Sequence, residues 1–374
     1  MEKMQTPQGL FSLSRYPVRK KETLRAWDAA DEWLLEHVAD MLDSKKIIII
    51  NDSFGALTTA LAAHAPTVMS DSCLSLRGIQ SNLEANQIDK NQVTLLNSTE
   101  ELTQRYDLVL IKIPKSLAQL ESQLYQLRAH LHETSTIIAA GMSKSIHTST
   151  LNLFERIIGT TKTSLARKKA RLIFAQFDQG LAVGENPYPG EYELDNTPYK
   201  IVNHAGVFSQ QNLDIGSRFF IEHLPSSNDR KKIVDLGCGN GVIGLVAATR
   251  NPNAEILFID ESYMAIESAR ATFHAAFSGN REAQFSVADG LENIDKNSID
   301  CILNNPPFHQ HNATGDAVAW QMFTESREAL KQGGELWVIG NRHLAYHTKL
   351  KRLFGNYVNI ASNKKFVILK AIKR

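Results

Sequence analysis

The sequence is poor in cysteine and has no long apolar run. Its three cysteines, Cys73, Cys238 and Cys301, are too few and too scattered for a disulfide framework or a zinc cluster. They suit a reducing cytoplasm. Purely apolar runs are short, such as Ile47–Ile50, against the roughly 18 residues that a membrane span requires. No basic stretch followed by an apolar core opens the chain, so no secretory signal is visible and no membrane partner is expected. The net charge is only +1, which gives no warrant by itself for a nucleic-acid partner. What is present is an ordinary globular composition, 43% hydrophobic and 22% charged over 374 residues. That excludes a disordered or fibrous chain and suffices for about two domains.

The charge is unevenly spread. Of the 41 Lys and Arg, nine fall between Arg342 and Arg374, a stretch without Asp or Glu, and the rest of the chain carries 32 basic against 40 acidic groups. The last stretch is therefore a positive patch on an acidic body. A second basic cluster is Arg167-Lys168-Lys169-Ala170-Arg171. From about Gln176 to Pro198 the sequence is rich in Gly, Pro and acids and loses periodicity, as a linker would. The expected division is a domain over 1–180, a linker over 181–198 and a second domain over 199–374.

Each half alternates short β-rich runs with helical stretches, which predicts parallel α/β sheets. In the second half strands are expected at Lys232–Leu236, Glu255–Ile259, Gln284–Val287, Asp300–Leu303, Glu335–Gly340, Tyr357–Ile360 and Phe366–Ala371, with helices such as Val242–Arg250 and Tyr263–Phe277. The first half reads as a worn copy of the second. Lys46–Ile50 parallels Lys232–Leu236, Val68–Asp71 parallels Phe258–Asp260, and Asp107–Pro114 aligns without gaps on Asp300–Pro307. The shared order of three segments favours an internal duplication over two unrelated α/β domains.

Two motifs carry chemistry. Val234-Asp-Leu-Gly-Cys-Gly-Asn-Gly-Val-Ile-Gly244 reads as a strand, a glycine turn and a helix start. Glycines at 237, 239 and 241 allow a ligand close to the backbone, and the helix start faces it with free N–H groups. A dinucleotide fingerprint is G-x-G-x-x-G; here the spacing is G-x-G-x-G and Val242 departs from it. Asp260, at the end of the next strand, suits a carboxylate on ribose hydroxyls or a helix N-cap. Asp289-Gly290 after the third strand is a candidate ligand-contacting acid or a plain turn. The second motif is Asn305-Pro-Pro-Phe308. The prolines stiffen the backbone and lack N–H groups. The Asn305 amide oxygen and the Pro306 carbonyl could then grip both hydrogens of an amino group, and Phe308 could stack on a planar substrate.

The glycine turn resembles motif I of S-adenosylmethionine-dependent methyltransferases. Asn305–Phe308 resembles the signature of enzymes that methylate planar amino nitrogens. Val207-Phe-Ser, Leu213-Asp-Ile-Gly-Ser-Arg218, Asn305–His309, Trp320-Gln-Met-Phe and Gly340–Leu344 are similar to segments of the ribosomal RNA guanine-N2 methyltransferases. The large-subunit branch is the nearer, and the small-subunit branch shares its plan.

The resemblance implies two tandem Rossmann-like class I methyltransferase domains, each a mostly parallel seven-stranded sheet flanked by helices. The first is degenerate and serves stability or RNA binding. The second binds S-adenosylmethionine through Asp235, Gly237, Cys238, Gly239, Gly241, Asp260 and Asp289, with Asp235 on the methionine amino group and Asp289 near the adenine. Asn305, Pro306 and Phe308 form the catalytic set. The implied substrate is a guanine N2 in 23S ribosomal RNA. A 16S guanine is the alternative, and a protein glutamine or DNA amine is less favoured. Phe208, Ser209 and Asp214 would wall the cofactor pocket.

In the first half, Lys112 replaces Asn305 and Ile113 the first proline, while Phe54 and Leu57 stand near glycine-turn positions. A lysine cannot accept a hydrogen bond from an amine, so neither cofactor nor base is expected there. Lys112, Lys115 and Arg167–Arg171 make RNA holding the natural role. His309 with His311, and His343 with His347, lack the company of a metal site, so no metal is expected. A silent half in place of a second subunit suits a cytoplasmic monomer.

Overall fold

Ile47–Ile50 is buried along its whole length, as a central parallel strand must be when helices cover both faces of its sheet. It is one strand of a two-unit α/β chain, for which a computed structural model describes residues 2–18, 22–210, 212–307 and 313–374. The chain divides into Met1–Tyr188 and Pro189–Arg374. In the first unit, β1 (Ile47–Ile50), β2 (Thr67–Ser70), β3 (Thr94–Asn97), β4 (Leu108–Lys112), β5 (Thr136–Met142), β6 (Thr161–Thr163) and β7 (Ala170–Gln176) form one sheet. Its order is β3-β2-β1-β4-β5-β7-β6. In the second unit, β8 (Lys232–Leu236), β9 (Glu255–Asp260), β10 (Gln284–Val287), β11 (Ile299–Asn304), β12 (Leu330–Asn341), β13 (Val358–Ser362) and β14 (Phe366–Ile372) repeat it. That order is β10-β9-β8-β11-β12-β14-β13.

Both sheets are parallel except for the last two strands, which pair antiparallel. Two mostly parallel seven-stranded sheets flanked by helices are therefore present, as expected. All seven strands read from the second half exist, with β12 longer than its expected span.

The likeness of the two sheets extends to local devices. The helix after β8, Val242–Arg250, starts at Gly241 with φ 78, and the helix after β1, Ala56–Leu61, starts at Gly55 with φ 87. A Cβ on Gly241 would stand 2.8 Å from Ala269 Cβ, so glycine lets this helix pack against Tyr263–Phe277. Those next helices are capped alike: Ser262 Oγ accepts from Ala265 N, and Ser72 Oγ from Ser75 N. Each such cap contributes on the order of 1 kcal/mol.

The segment expected as a linker is partly structured. Gly190–Glu193 pairs antiparallel with Lys200–Asn203. The apolar residues of this hairpin explain it: Leu194 and Ile201 are buried in the second unit's core, and Tyr192 and Tyr199 pack against it. Its high Gly, Pro and acid content masked a short alternating strand.

Candidate active site

Parallel sheets bind ligands at the carboxyl ends of their strands, where the strand order turns. In the second sheet that point lies between β8 and β11, where Leu236 pairs in register with Asn304. The structure brings the expected residues to this edge. Asp235 lies on β8 and Asp260 ends β9, Asp289 follows β10, and Asn305 and Pro306 follow β11. Phe308, His309 and His311 lie outside the described residues. Gly237, Gly239 and Gly241 all have positive φ, and a Cβ on Gly239 would meet nothing within 4 Å. The turn therefore leaves space above Gly239.

Asp235 is buried. Its Oδ2 accepts from Gly244 N at 2.7 Å, while Oδ1 has no partner. Burial pushes its pKa up to about 8, against the pull of the Gly244 N–H and aided by the negative Asp260. A cation brought to the open Oδ1 would favour the ionised carboxylate and offset this burial cost. Asp260 accepts from Gly239 N and Ser262 N, each at 3.0 Å, which ties the glycine turn to the end of β9 and caps the following turn. The helix N-cap is Ser262 and not Asp260, so the N-cap reading of Asp260 does not hold. Asp289 Oδ1 accepts from Gln321 Nε2 at 3.0 Å, and Gln321 also reaches Glu325 at 2.9 Å. Cys238 is buried, and burial raises its thiol well above its usual pKa, which disfavours the thiolate.

Three side-chain amides end β11 and β12. The oxygens of Asn304, Asn305 and Asn341 are all buried without a hydrogen-bond partner. Such groups are rare in native proteins and call for an explanation; for Asn305, just past β11, a ligand with N–H donors supplies one. Asn304 Nδ2 is held by the Leu236 carbonyl at 2.8 Å. Asn305 Nδ2 donates to Ser217 Oγ at 3.2 Å, which leaves Oδ1 as the open acceptor. Ser217 occupies the first turn of helix Ile215–Glu222, whose N-cap is Asp214. Ser209 Oγ in turn accepts from Asp214 N. Ser209 and Asp214 thus brace the amide through this helix, while Phe208 is 61% exposed. Sequence reasoning missed Ser217, Asn304, Asn341 and Gln321 as site residues. Ser217, Gln321 and Asn341 lie inside segments similar to those of the guanine-N2 methyltransferases, and the doubled Asn304-Asn305 was the signal for Asn304.

Residues 1–179 match the family described as the RLMG N-terminal domain, and residues 198–370 match the methyltransferase small domain. The ribosomal RNA large subunit methyltransferase G of Streptomyces avermitilis is 50% identical, covering 99% of each chain. That of Yersinia enterocolitica is 48% identical over 97% of this chain and 92% of its own. The chain belongs to the ribosomal RNA large subunit methyltransferase G family. A solved structure of the Thermus thermophilus 16S rRNA N2 G1207 methyltransferase, in complex with AdoMet and guanosine, matches with a TM-score of 0.77 at 19% identity. It covers 100% of this chain and 98% of that one, and shows the shared fold.

Sheet register shows which first-unit residues stand where the second unit has its candidate site residues. Pairing of β1 with β4 and of β8 with β11 sets Ile49 against Asp235 and Lys112 against Asn305. Pairing of β1 with β2 and of β8 with β9 sets Ser70, not Asp71, against Asp260. The acid read from Val68–Asp71 is therefore one residue out of register. Lys112 is not a surface cation for RNA: its amine lies 2.9 Å from Asp28 and 2.7 Å from Asp31, with 13% of the side chain exposed. Burial alone would lower its pKa, but the two carboxylates hold it above the usual lysine value. Arg167 and Lys168 likewise pair with Glu36 and Glu32.

Asp28 caps its helix and Asp31 sits three residues on, just as Asp214 and Ser217 do. An amide–hydroxyl contact in one unit is an ion cluster in the other. A cleft of about 830 Å³ in the first unit, lined by Arg105, Tyr125, Arg128, His132 and Phe177, borders the starts of β4 and β5, the opposite end from this position. Among the described residues no group of three metal-ligating side chains occurs and no helix is long and apolar enough to cross a membrane.

Proposed function

We propose that this chain transfers a methyl group from S-adenosylmethionine to the exocyclic N2 of a guanine in large-subunit ribosomal RNA. The observation that carries the reading is the Asn305 amide, pinned through Nδ2 by Ser217 with a buried, unpartnered Oδ1 beside Pro306. Guanine presents N1–H and N2–H₂ donors on one edge, which suits the open Asn305 amide oxygen beside Pro306.

The residues present fit the cofactor. The open Oδ1 of Asp235 would take its ammonium, Asp260 its ribose hydroxyls and the Asp289–Gln321 edge its adenine amine. Gly237, Cys238, Gly239 and Gly241 form the turn beneath it. When bound, the cofactor supplies an electrophilic methyl on a sulfonium, so the protein's task is chiefly to position the two reactants. Guanine N2 is a weak nucleophile because its lone pair is delocalised into the ring. The Asn305 oxygen and the Pro306 carbonyl would accept both N2 hydrogens, hold the lone pair toward the methyl and stabilise the positive charge that develops on nitrogen. The target base must be unpaired or flipped, at a cost of a few kcal/mol. Three free, buried cysteines and the silent first unit suit a cytoplasmic protein that acts as a monomer.

The test is transfer of labelled methyl to separated large- and small-subunit RNA from cells lacking the gene, with nucleoside analysis. N2-methylguanosine in large-subunit RNA supports the proposal. Label in small-subunit RNA alone would move the substrate while keeping the chemistry, and label only on protein glutamine or DNA amines would overturn the substrate class.

A further inference from the structure

The nine cations between Arg342 and Arg374 are sorted by the fold. Lys349 pairs with Asp316 and Lys370 with Glu335, Arg352 lies over the Trp320 ring, and Lys373 is held by Asn297 and the Glu328 carbonyl. Of these, Lys349 and Lys370 are neutralised by carboxylates. Lys351, Arg374 and the trio Arg342, Lys364 and Lys365 are exposed, with no carboxylate paired to them among the described residues; within the trio, Arg342 Nη1 donates to the Asn363 carbonyl at 3.4 Å and Lys365 Nζ lies 5.0 Å over the Phe366 ring.

These three come together at the site edge. Arg342 follows the end of β12, and Lys364 and Lys365 form the turn between β13 and β14. Asn341 pairs in register with Phe366, and Arg342 N donates to the Lys365 carbonyl at 3.0 Å. The turn is rigid, because Asn363 Oδ1 accepts from both Lys365 N and Phe366 N. It also adjoins the target pocket: a Cβ on Gly216 would stand 3.1 Å from the Phe366 ring, and the next residue, Ser217, holds Asn305.

We propose that Arg342, Lys364 and Lys365 form a lip that holds phosphates of the RNA strand flanking the target nucleotide. The inference rests on the RNA-methylating function proposed above and names where that substrate is held. Phosphate contacts position a strand without reading its sequence. A pre-ordered cationic turn beside the base pocket would set the register from which one nucleotide is extruded. Of the first-unit cations expected to hold RNA, Lys112, Arg167 and Lys168 are paired with carboxylates, whereas the lip cations are not.

The test uses full-length Lys364→Gln, Lys365→Gln and the double variant, with Lys231→Gln as control. Lys231 is exposed just before β8, at the opposite edge of the sheet. Methylation of large-subunit RNA lacking the modification gives KM and kcat, and filter binding over a salt series gives the slope of log K against log salt. The lip predicts an RNA KM about ten-fold higher in the double variant and a slope smaller by about 0.7 for each phosphate that is no longer neutralised. The kcat at saturating RNA, the cofactor affinity and the Lys231→Gln control stay at wild-type values. Unchanged KM and slope in the double variant, with wild-type protein methylating RNA, overturn the lip alone. A wild-type protein that methylates no ribosomal RNA overturns the functional proposal and the lip with it.

Discussion

Asp235→Asn probes the link between burial and cofactor capture. Asp235 holds a proton up to about pH 8 in the ligand-free protein, and an α-amino group loses its own near 7.7–8.0. Bound together, carboxylate and ammonium share one proton between them. Well below pH 8 the free partners carry two, so binding releases one and the affinity falls about ten-fold per pH unit. Well above pH 8 they carry none, so binding takes one up. The affinity of the wild-type protein for S-adenosylmethionine therefore peaks near pH 8.

An asparagine has one acceptor oxygen where the carboxylate has two, so either Gly244 N–H or the ammonium loses its partner. Loss of a hydrogen bond to a charged group costs about 1.5–3 kcal/mol, or roughly 10- to 150-fold in Kd at the optimum. The acid limb should vanish, because the amide does not titrate. Calorimetric titration in two buffers of different ionisation enthalpy reads both the affinity and the proton count. Wild-type binding without proton release at about pH 6, or an Asp235→Asn affinity within about two-fold of wild type, would refute the reasoning.

Asn305→Ala should lower kcat about 10²–10³-fold, by analogy with loss of one transition-state hydrogen-bond partner, and leave the cofactor Kd unchanged by calorimetry. Ser217→Ala frees the Asn305 amide to rotate; kcat should fall about ten-fold in single-turnover assays, with Ser217→Thr recovering part of it. Lys112→Met leaves Asp31 buried without its cation, which should cost the first unit about 3–5 kcal/mol in denaturant unfolding, and adding Asp31→Leu should restore much of it. Because the folded pKa of Asp235 is raised to about 8, its contribution to ligand-free stability is fully present below the unfolded value of about 3.9 and is lost as pH rises toward 8. Thermal scans should show a decline over that window in wild type that Asp235→Asn lacks.

Much of the fold was legible because strand runs such as Lys232–Leu236 and the Gly241-led helix are local patterns. The site's carboxylates and Asn305 were legible for the same reason, since each ends a strand that announces itself. What escaped depends on contacts between distant segments. Ser217 matters only because its helix packs across the sheet edge against a residue 88 positions later. Lys112 looked like a surface cation until Asp28 and Asp31, over 80 residues earlier, closed on it. Asp71 resembled Asp260 in spacing, but sheet register puts Ser70 there. The hairpin at Gly190–Glu193 lay hidden in turn-rich composition. The C-terminal basic stretch was visible as a whole, but which of its lysines pair with carboxylates was decided by Asp316 and Glu335.

The most direct test of the central claim is nucleoside mass spectrometry of large-subunit RNA, taken from cells lacking the gene and incubated with S-adenosylmethionine and either wild-type protein or Asn305→Ala. The account predicts N2-methylguanosine with the wild type and almost none with the variant, although both bind the cofactor. Equal methylation by the two proteins, or methylation at any atom other than guanine N2, would contradict it.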